Sequence, residues 1–220
     1  MTGAAPSQVT VRPRRSDDVP RLAAILAEQQ PHSLYPFRWP LPFPAEQFIA
    51  RHHEFTAFVA EQDGDLVGHV CIQWVEVAAP TDGMPKEDLA AAWMRGHGRP
   101  VEDLALVSAL FTALSARGSG AGRALLDAAE EWIREQDLAP CLDVVPRHSV
   151  AKQVYEKRGW IAVGTARPPW LPDDEPSVVA RVLPPDDSAR QFCPGGIELT
   201  GRHRRLRGRS RIRHRPRRRV

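Results

Sequence analysis

The stretch from Leu110 to Asp127, LFTALSARGSGAGRALLD, restricts this chain more than any other. An apolar, strand-like run enters Arg117-Gly118-Ser119-Gly120-Ala121-Gly122, and a helix-forming segment follows at once. Glycines at such a junction let the backbone turn tightly and leave room for a ligand. The first N–H groups of a helix have no intrahelical acceptor, so they can bind an anion. Arg123 adds positive charge beside that helix start. The stretch reads as a seat for a diphosphate at the end of a strand; a plain tight turn is the alternative. Two common nucleotide sites are excluded. A P-loop needs a Gly-Lys-Ser/Thr ending, and there is no lysine here. A dinucleotide fingerprint needs Gly-x-Gly-x-x-Gly at the start of a βαβ unit, a spacing that Gly118, Gly120 and Gly122 do not follow.

The surrounding segments form an ordered series. Val9 to Arg12 fits a short first strand. Ser16 is placed to cap a helix that begins with Asp17-Asp18 and carries Leu22, Ile25 and Leu26 on one face. Ala45 to His52 suits another short helix. Phe55 to Glu61 and Leu66 to Val77 read as strands joined by the hairpin turn Asp63-Gly64-Asp65. Leu106 to Leu114 is the strand entering the glycine turn, and the helix after it covers about Gly122 to Gln136. Cys141 to Val145 is a short buried strand. Ser149 to Lys157 is a helix stopped at Gly159. Trp160 to Gly164 and Val178 to Leu183 are the last strands.

Two motifs in this series resemble the GNAT superfamily of Gcn5-related N-acetyltransferases. Arg117, Gly120 and Gly122 match its acetyl-CoA signature, Gln or Arg, two residues, Gly, one residue, then Gly or Ala. In HSVAKQVYEKRGW, Ala151, Tyr155 and Gly159-Trp160 match a later family element, with His148 where Asn is frequent. The likeness spans about Val9 to Leu183. It implies an α/β (α+β) fold, the GNAT acyl-CoA N-acyltransferase fold. That fold has a mixed, mostly antiparallel sheet, splayed central strands and helices on both faces. It also implies acetyl-CoA as acyl donor, and no metal is expected. The diphosphate would meet the backbone of Arg117, Gly118, Ser119, Gly120, Ala121, Gly122 and Arg123. The pantetheine amides would meet the strand edge at Phe111 and Thr112, and His148 and Ala151 complete the expected cofactor-binding set.

By the same resemblance, Tyr155 is the expected general acid, protonating the departing CoA thiolate. A tyrosine merely packed against the cofactor is the other reading. The position at which several relatives carry a basic glutamate corresponds to Leu106, which cannot serve. Glu102 and Asp103, just before the strand, and Ser108 on it are the candidates for the base or for positioning a water; His97 and His69 are further ones. The acceptor wall is expected from His32–Pro44, with Tyr35, Phe37, Trp39 and Phe43, from Ala79–Pro100, with a short helix over Lys86 to Arg95, and from Ala166–Pro176 around Trp170. Glu87, Asp88, Asp173 and Asp174 would draw a cationic amine, either a small molecule or a peptide. The runner-up functions are a catalytically degenerate acyl-CoA-binding or regulatory protein, and an acyltransferase with another donor or acceptor.

Composition divides the chain. Residues 201–220 hold eleven arginines and no acid, and the +3 of the whole chain becomes −8 once they are set aside. The expected organisation is a short flexible N-terminus over 1–8, a catalytic domain over 9–185 and a disordered Arg-rich tail over 186–220. Such a tail can bind nucleic acid weakly and without sequence preference. No 18-residue apolar run or apolar signal core is present, and Cys71, Cys141 and Cys193 are widely spaced. These features point to a cytoplasmic protein without membrane attachment, a monomer or homodimer, with Cys71 and Cys141 as buried thiols.

Overall fold

The computed structural model describes residues 8–76 and 88–185. Lys86, Glu87, Cys193 and the Arg-rich tail lie outside the described residues, as does nearly all of the expected flexible N-terminus. Seven strands form one sheet: β1 (Val9–Pro13), β2 (Glu54–Gln62), β3 (Asp65–Trp74), β4 (Leu104–Thr112), β5 (Ala139–Val144), β6 (Ile161–Ala166) and β7 (Val178–Val182), in the order β1-β2-β3-β4-β5-β7-β6. Every neighbouring pair is antiparallel except β4–β5. The β2–β3 hairpin turns through Asp63 and Gly64, at φ 54° and 88°. Two left-handed residues in succession match the right-handed twist of the strands they join.

Five helices accompany the sheet: α1 (Val19–Ser33), α2 (Ala45–Ile49), α3 (Leu89–His97), α4 (Ala121–Glu135) and α5 (Ser149–Lys157). In α1, Leu22, Ile25, Leu26 and Gln29 are buried, a spacing of three and four that defines one face. Helix α4 buries Leu125, Leu126, Ala129 and Ile133 in the same way. Central strand β3 is buried from Val67 to Gln73 without alternation, as expected where both faces of a sheet are covered. Gly68 allows α4 to approach: a Cβ there would meet Leu125 Cδ1 at 2.8 Å and the Phe111 carbonyl oxygen at 3.1 Å.

Two local readings need correction. Ser16 does not cap α1; Ser16–Asp18 form a separate tight turn, and α1 begins at Val19. Asp18 supplies the acceptor instead, taking the Arg15 N–H at 2.7 Å while Arg12 grips its two oxygens at 2.7 and 2.8 Å. The fork of Arg12 holds the carboxylate where it can reach back, a geometry the hydroxyl of Ser16 does not share. The helix expected over Lys86 to Arg95 starts at Leu89, after Asp88 accepts the Ala90 N–H at 3.0 Å as N-cap.

Three features of this frame place the site. First, β4 and β5 pair only at Leu104–Ala139, Ala105–Pro140 and Leu106–Cys141; beyond that the two parallel strands part. Second, β4 carries a bulge. Its register against β3 passes from Cys71–Ser108 to His69–Phe111, so Ala109 and Leu110 together face Val70. Third, α5 is anchored at its end. The buried carboxylate of Glu130 on α4 accepts from Arg158 at 2.6 Å and from the Trp160 indole at 2.9 Å.

Candidate active site

The gap between β4 and β5 opens into two cavities. The first, about 1150 Å³, runs along the glycine turn and the start of α4 to α5. Among its lining residues are Phe111, Thr112, Arg117, Gly118, Gly120, Ala121, Gly122 and Arg123. The second, about 530 Å³, lies beneath the segment after α1 and is walled by Tyr35, Phe37, Phe43, Phe48 and Trp170. Leu110, His148, Ala151 and Tyr155 line both, so the cavities meet at these four residues.

In the glycine turn the amides alternate in use. The Arg117 and Ser119 N–H groups bond back to Leu114 and Ala116, and that of Ala121 bonds the Ser119 hydroxyl. The N–H groups of Gly118, Gly120, Gly122 and Arg123 have no partner among the described residues. Gly118 and Gly120 sit at φ 83° and 89°, where a side chain is strained, and a Cβ at either would meet open space. Gly122 lies in the helix, and a Cβ there would make ordinary contact with Thr112 at 3.6 Å. Ser119 is not among the lining residues; its hydroxyl donates to the Ala116 carbonyl at 2.8 Å and braces the turn. Of the cations at this cavity, Arg158 and Arg147 are committed to Glu130 and Glu175. Arg117 and Lys157 have no carboxylate within 4.0 Å among the described residues, and Arg123 has a loose contact with Asp127 at 3.8 Å. Sequence reasoning overlooked Lys157, whose end-of-helix position gives no signal by itself.

At the junction, Tyr155 packs edge-on against Trp160, with ring centroids 5.9 Å apart. Burial, with Tyr35 and Asp143 nearby, pushes its phenol well above the usual range, so it stays protonated throughout neutral pH. The His148 ring bonds the Ser33 backbone, and desolvation lowers its pKa and keeps it neutral; its Nε2 is buried without a partner. The β4 bulge is held from two sides. His69, fully buried and pushed down to about 3 by desolvation, donates from Nδ1 to the Ala109 carbonyl at 3.0 Å. Tyr35 bonds the Ala109 backbone from the cavity side. Ala109 is thereby kept at φ 47°, an unusual conformation for a residue with a side chain.

Of the residues expected as base or water-positioning group, only Ser108 lines the second cavity. Glu102 and Asp103 line neither cavity. They precede β4 at the end where it is paired with β5, away from the opening, and Asp103 is taken by Arg99 at 3.2 Å. His97 is likewise turned away, bonding the Pro140 carbonyl at 2.9 Å. Ser108 does reach the cavity, with its proton given to Gln73 Oε1 at 2.7 Å. The carboxylate that faces the cavity is Asp143 on β5. Desolvation pushes it up to about 6, against the pull of its own backbone N–H and of Arg51. A lone acid within Cys141-Leu-Asp-Val-Val145, otherwise apolar, was the signal for it.

The wall follows the expected segments in part. Tyr35, Phe37, Phe43 and Trp170 line the cavity, whereas Trp39 does not. Gln29 and Gln30, buried at the end of α1, clamp the segment by donating to the carbonyls of Tyr35 at 2.5 Å and Pro36 at 3.3 Å. The acids expected to draw an amine are elsewhere: Asp88 caps α3, Asp173 lies 3.9 Å from Arg167, and Asp174 lines neither cavity. Outside both cavities, His52, His53 and Glu76 bring potential metal-binding atoms within 4.8 Å of one another. Among the described residues no helix is long and apolar enough to cross a membrane.

The chain has the fold of an acyltransferase, with a splayed parallel pair, a bulged strand and a glycine turn whose amides are free among the described residues. The model of the acetyltransferase (GNAT) family matches residues 21–160, and the chain belongs to that family. Solved structures agree on the fold. A Corynebacterium glutamicum ATCC 13032 protein described as histone acetyltransferase HPA2 and related acetyltransferase is 24% identical, covering 80% of this chain and 96% of its own, at a TM-score of 0.56. The ribosomal-protein-S18-alanine N-acetyltransferase of Escherichia coli is 18% identical over 88% of this chain and 100% of its own, at 0.54. Spermidine N-acetyltransferase from Vibrio cholerae, solved with CoA and spermine, is 18% identical over 80% of this chain and 94% of its own, at 0.54. No curated protein matches the sequence at a significant level.

Proposed function

We propose that the chain transfers an acetyl group from acetyl-CoA to the amine of a small molecule, with the donor in the larger cavity and the acceptor in the smaller. The observation that carries this reading is the meeting of the two cavities at Leu110, His148, Ala151 and Tyr155. The free amides of Gly118, Gly120, Gly122 and Arg123 suit the diphosphate, and Arg117 and Lys157 suit the remaining negative charge of the donor. The unpaired edge of β4 from Val107 to Thr112 offers backbone groups to the pantetheine amides. The bulge turns the backbone at Leu110 out of the regular ladder, toward the place where negative charge grows on the thioester oxygen.

The proton balance assigns two side chains. An ammonium acceptor must lose one proton before its nitrogen can attack and a second as the amide forms. Asp143, the carboxylate of the acceptor cavity, takes these protons and passes them to solvent. As the C–N bond forms, the C–S bond breaks and the sulfur leaves with the bonding pair. Tyr155, held protonated, gives that sulfur its proton and is replenished from solvent. The net products are amide, CoA thiol and one proton. The test is calorimetry with acetyl-CoA, followed by thiol release across a panel of amines. Tight binding with amine-dependent release supports the reading; binding with no release under any amine would favour an acyl-CoA-binding protein.

A further inference from the structure

The acceptor cavity contains a charge pattern that the transfer reaction does not itself require. Apart from the protonated phenols of Tyr35 and Tyr155, its ionisable lining residues among those described are Arg38, Arg51, Asp143 and His148. With His148 neutral, two guanidinium groups oppose one carboxylate, so the described lining residues carry a net positive charge even when Asp143 is ionised. A polycation would meet repulsion there. A simple amine would engage Asp143 and leave the half-buried Arg51 guanidinium without an anion of its own.

Arg51 is not a loose surface charge. Its Nε donates to the Phe48 carbonyl at 3.1 Å, and its Cζ lies 4.5 Å above the Phe48 ring. Its backbone N–H is tied to Glu54 at 3.3 Å. These contacts fix the planar group, while its two terminal nitrogens have no partner among the described residues. A pre-oriented fork with free donors is the geometry that receives a carboxylate through two bonds. Arg51 and Asp143 also act on the same group, since the Tyr35 phenol is lowered by one and raised by the other. The cation and the anion line the same cavity, and Phe37, Phe43 and Trp170 form its apolar wall.

Resting on the transfer reading above, we infer that the acceptor is an α-amino acid with an apolar or aromatic side chain. Its ammonium group meets Asp143, its carboxylate meets Arg51 with Arg38 at the rim, and its side chain lies on the aromatic wall.

The test compares matched pairs on the full chain: L-phenylalanine with phenethylamine, and L-leucine with 3-methylbutylamine, with spermidine as a polycation. Binding is read without chemistry from calorimetry in the presence of CoA, and transfer is read from thiol release with acetyl-CoA. The amino acid of each pair should bind at least about 10-fold more tightly than its decarboxylated partner, the range of one charged hydrogen-bonding contact. Arg51→Gln should reduce that ratio to near one by raising KM for the amino acid. Arg51→Lys should recover only part of it, because a point charge replaces the fork. Equal or tighter binding of phenethylamine or spermidine, a ratio unchanged in Arg51→Gln, or no binding of any of the five would overturn the inference. Carboxylate-dependent binding without thiol release would uphold the amino-acid site and sink the transfer reading. Release as efficient with the amines that lack the carboxylate as with the amino acids would do the reverse.

Discussion

Replacing Asp143 by asparagine should make the protein more stable and less active, with both effects set by pH. The carboxyl is pushed from an ordinary 3.8 to about 6 because the cavity desolvates it. Its folded pKa lies above its unfolded one, so the contribution to stability is present below about pH 4 and is lost as pH rises through 6. A shift of about two units corresponds to ~3 kcal/mol as a ceiling. Water entering an open cavity screens part of this, and half of it, ~1.5 kcal/mol, is the working figure. For a domain of this size that is a difference in Tm of about 3–6 °C. Asparagine has the same shape without the charge. Asp143→Asn and the parent should therefore melt together near pH 4, and the variant should melt higher by that amount at pH 7.5. Amine-dependent thiol release by the parent should rise through pH 6, and the variant should lose most of it at pH 7.5. Differential scanning calorimetry from pH 4 to 8 checks the first part. A Tm difference that does not change with pH, or a parent that is more stable at pH 7.5, would refute the placement of a desolvated carboxylate in the cavity.

Gly120→Val should abolish acetyl-CoA binding in calorimetry, because a β-branched residue at φ 89° costs at least ~1–2 kcal/mol and its side chain enters the space over the free amides. Gly122→Ala should bind nearly as the parent does, since its Cβ finds ordinary contact; equal losses in the two variants would show that the amides are not the seat. His69→Leu should lower Tm by leaving the Ala109 carbonyl unpaired, a cost of about 1–3 kcal/mol, and lower kcat while acetyl-CoA affinity holds, as measured by thiol release and calorimetry. Arg158→Met should cost about 3–5 kcal/mol in denaturant unfolding by leaving the buried Glu130 with only the distant Arg134, at 4.0 Å, and a loss below ~1 kcal/mol would mean that the pair does not hold α5.

Much of this arrangement could be read from residue order. The glycine turn declares itself because positive φ, a helix start and a flanking arginine need particular residue types at fixed spacing. Tyr155 could be placed because α5 is bounded at both ends by its own sequence, and Gly159 stops it at φ 86°. The carboxylate that faces the smaller cavity could not be located in the same way. Glu102 and Asp103 stand near the right strand in sequence, yet the parallel pairing of Leu104–Leu106 with β5 puts them at its closed end. Only the direction in which β4 and β5 separate distinguishes the two ends, and that is a long-range property. Asp143 depends on which face of β5 borders the opening, and a six-residue strand gives too short an alternation to say. The bulge at Ala109 leaves no mark in composition; it arises from a one-residue mismatch of register, secured by His69 and Tyr35 from elsewhere in the chain. Arg51 lies between α2 and β2, where its neighbours give no hint that it reaches the smaller cavity.

The two cavities meet at Tyr155, and the central claim is that chemistry occurs there. Single-turnover thiol release by Tyr155→Phe, with acetyl-CoA bound and a saturating acceptor, tests it most directly. Phenylalanine keeps the packing against Trp160 and removes only the donor. The account requires acetyl-CoA affinity within a few-fold of the parent and a rate of transfer lower by about 10² to 10⁴. An unchanged rate with the chemical step limiting would contradict it, leaving Tyr155 as part of the cavity wall and placing the acid elsewhere.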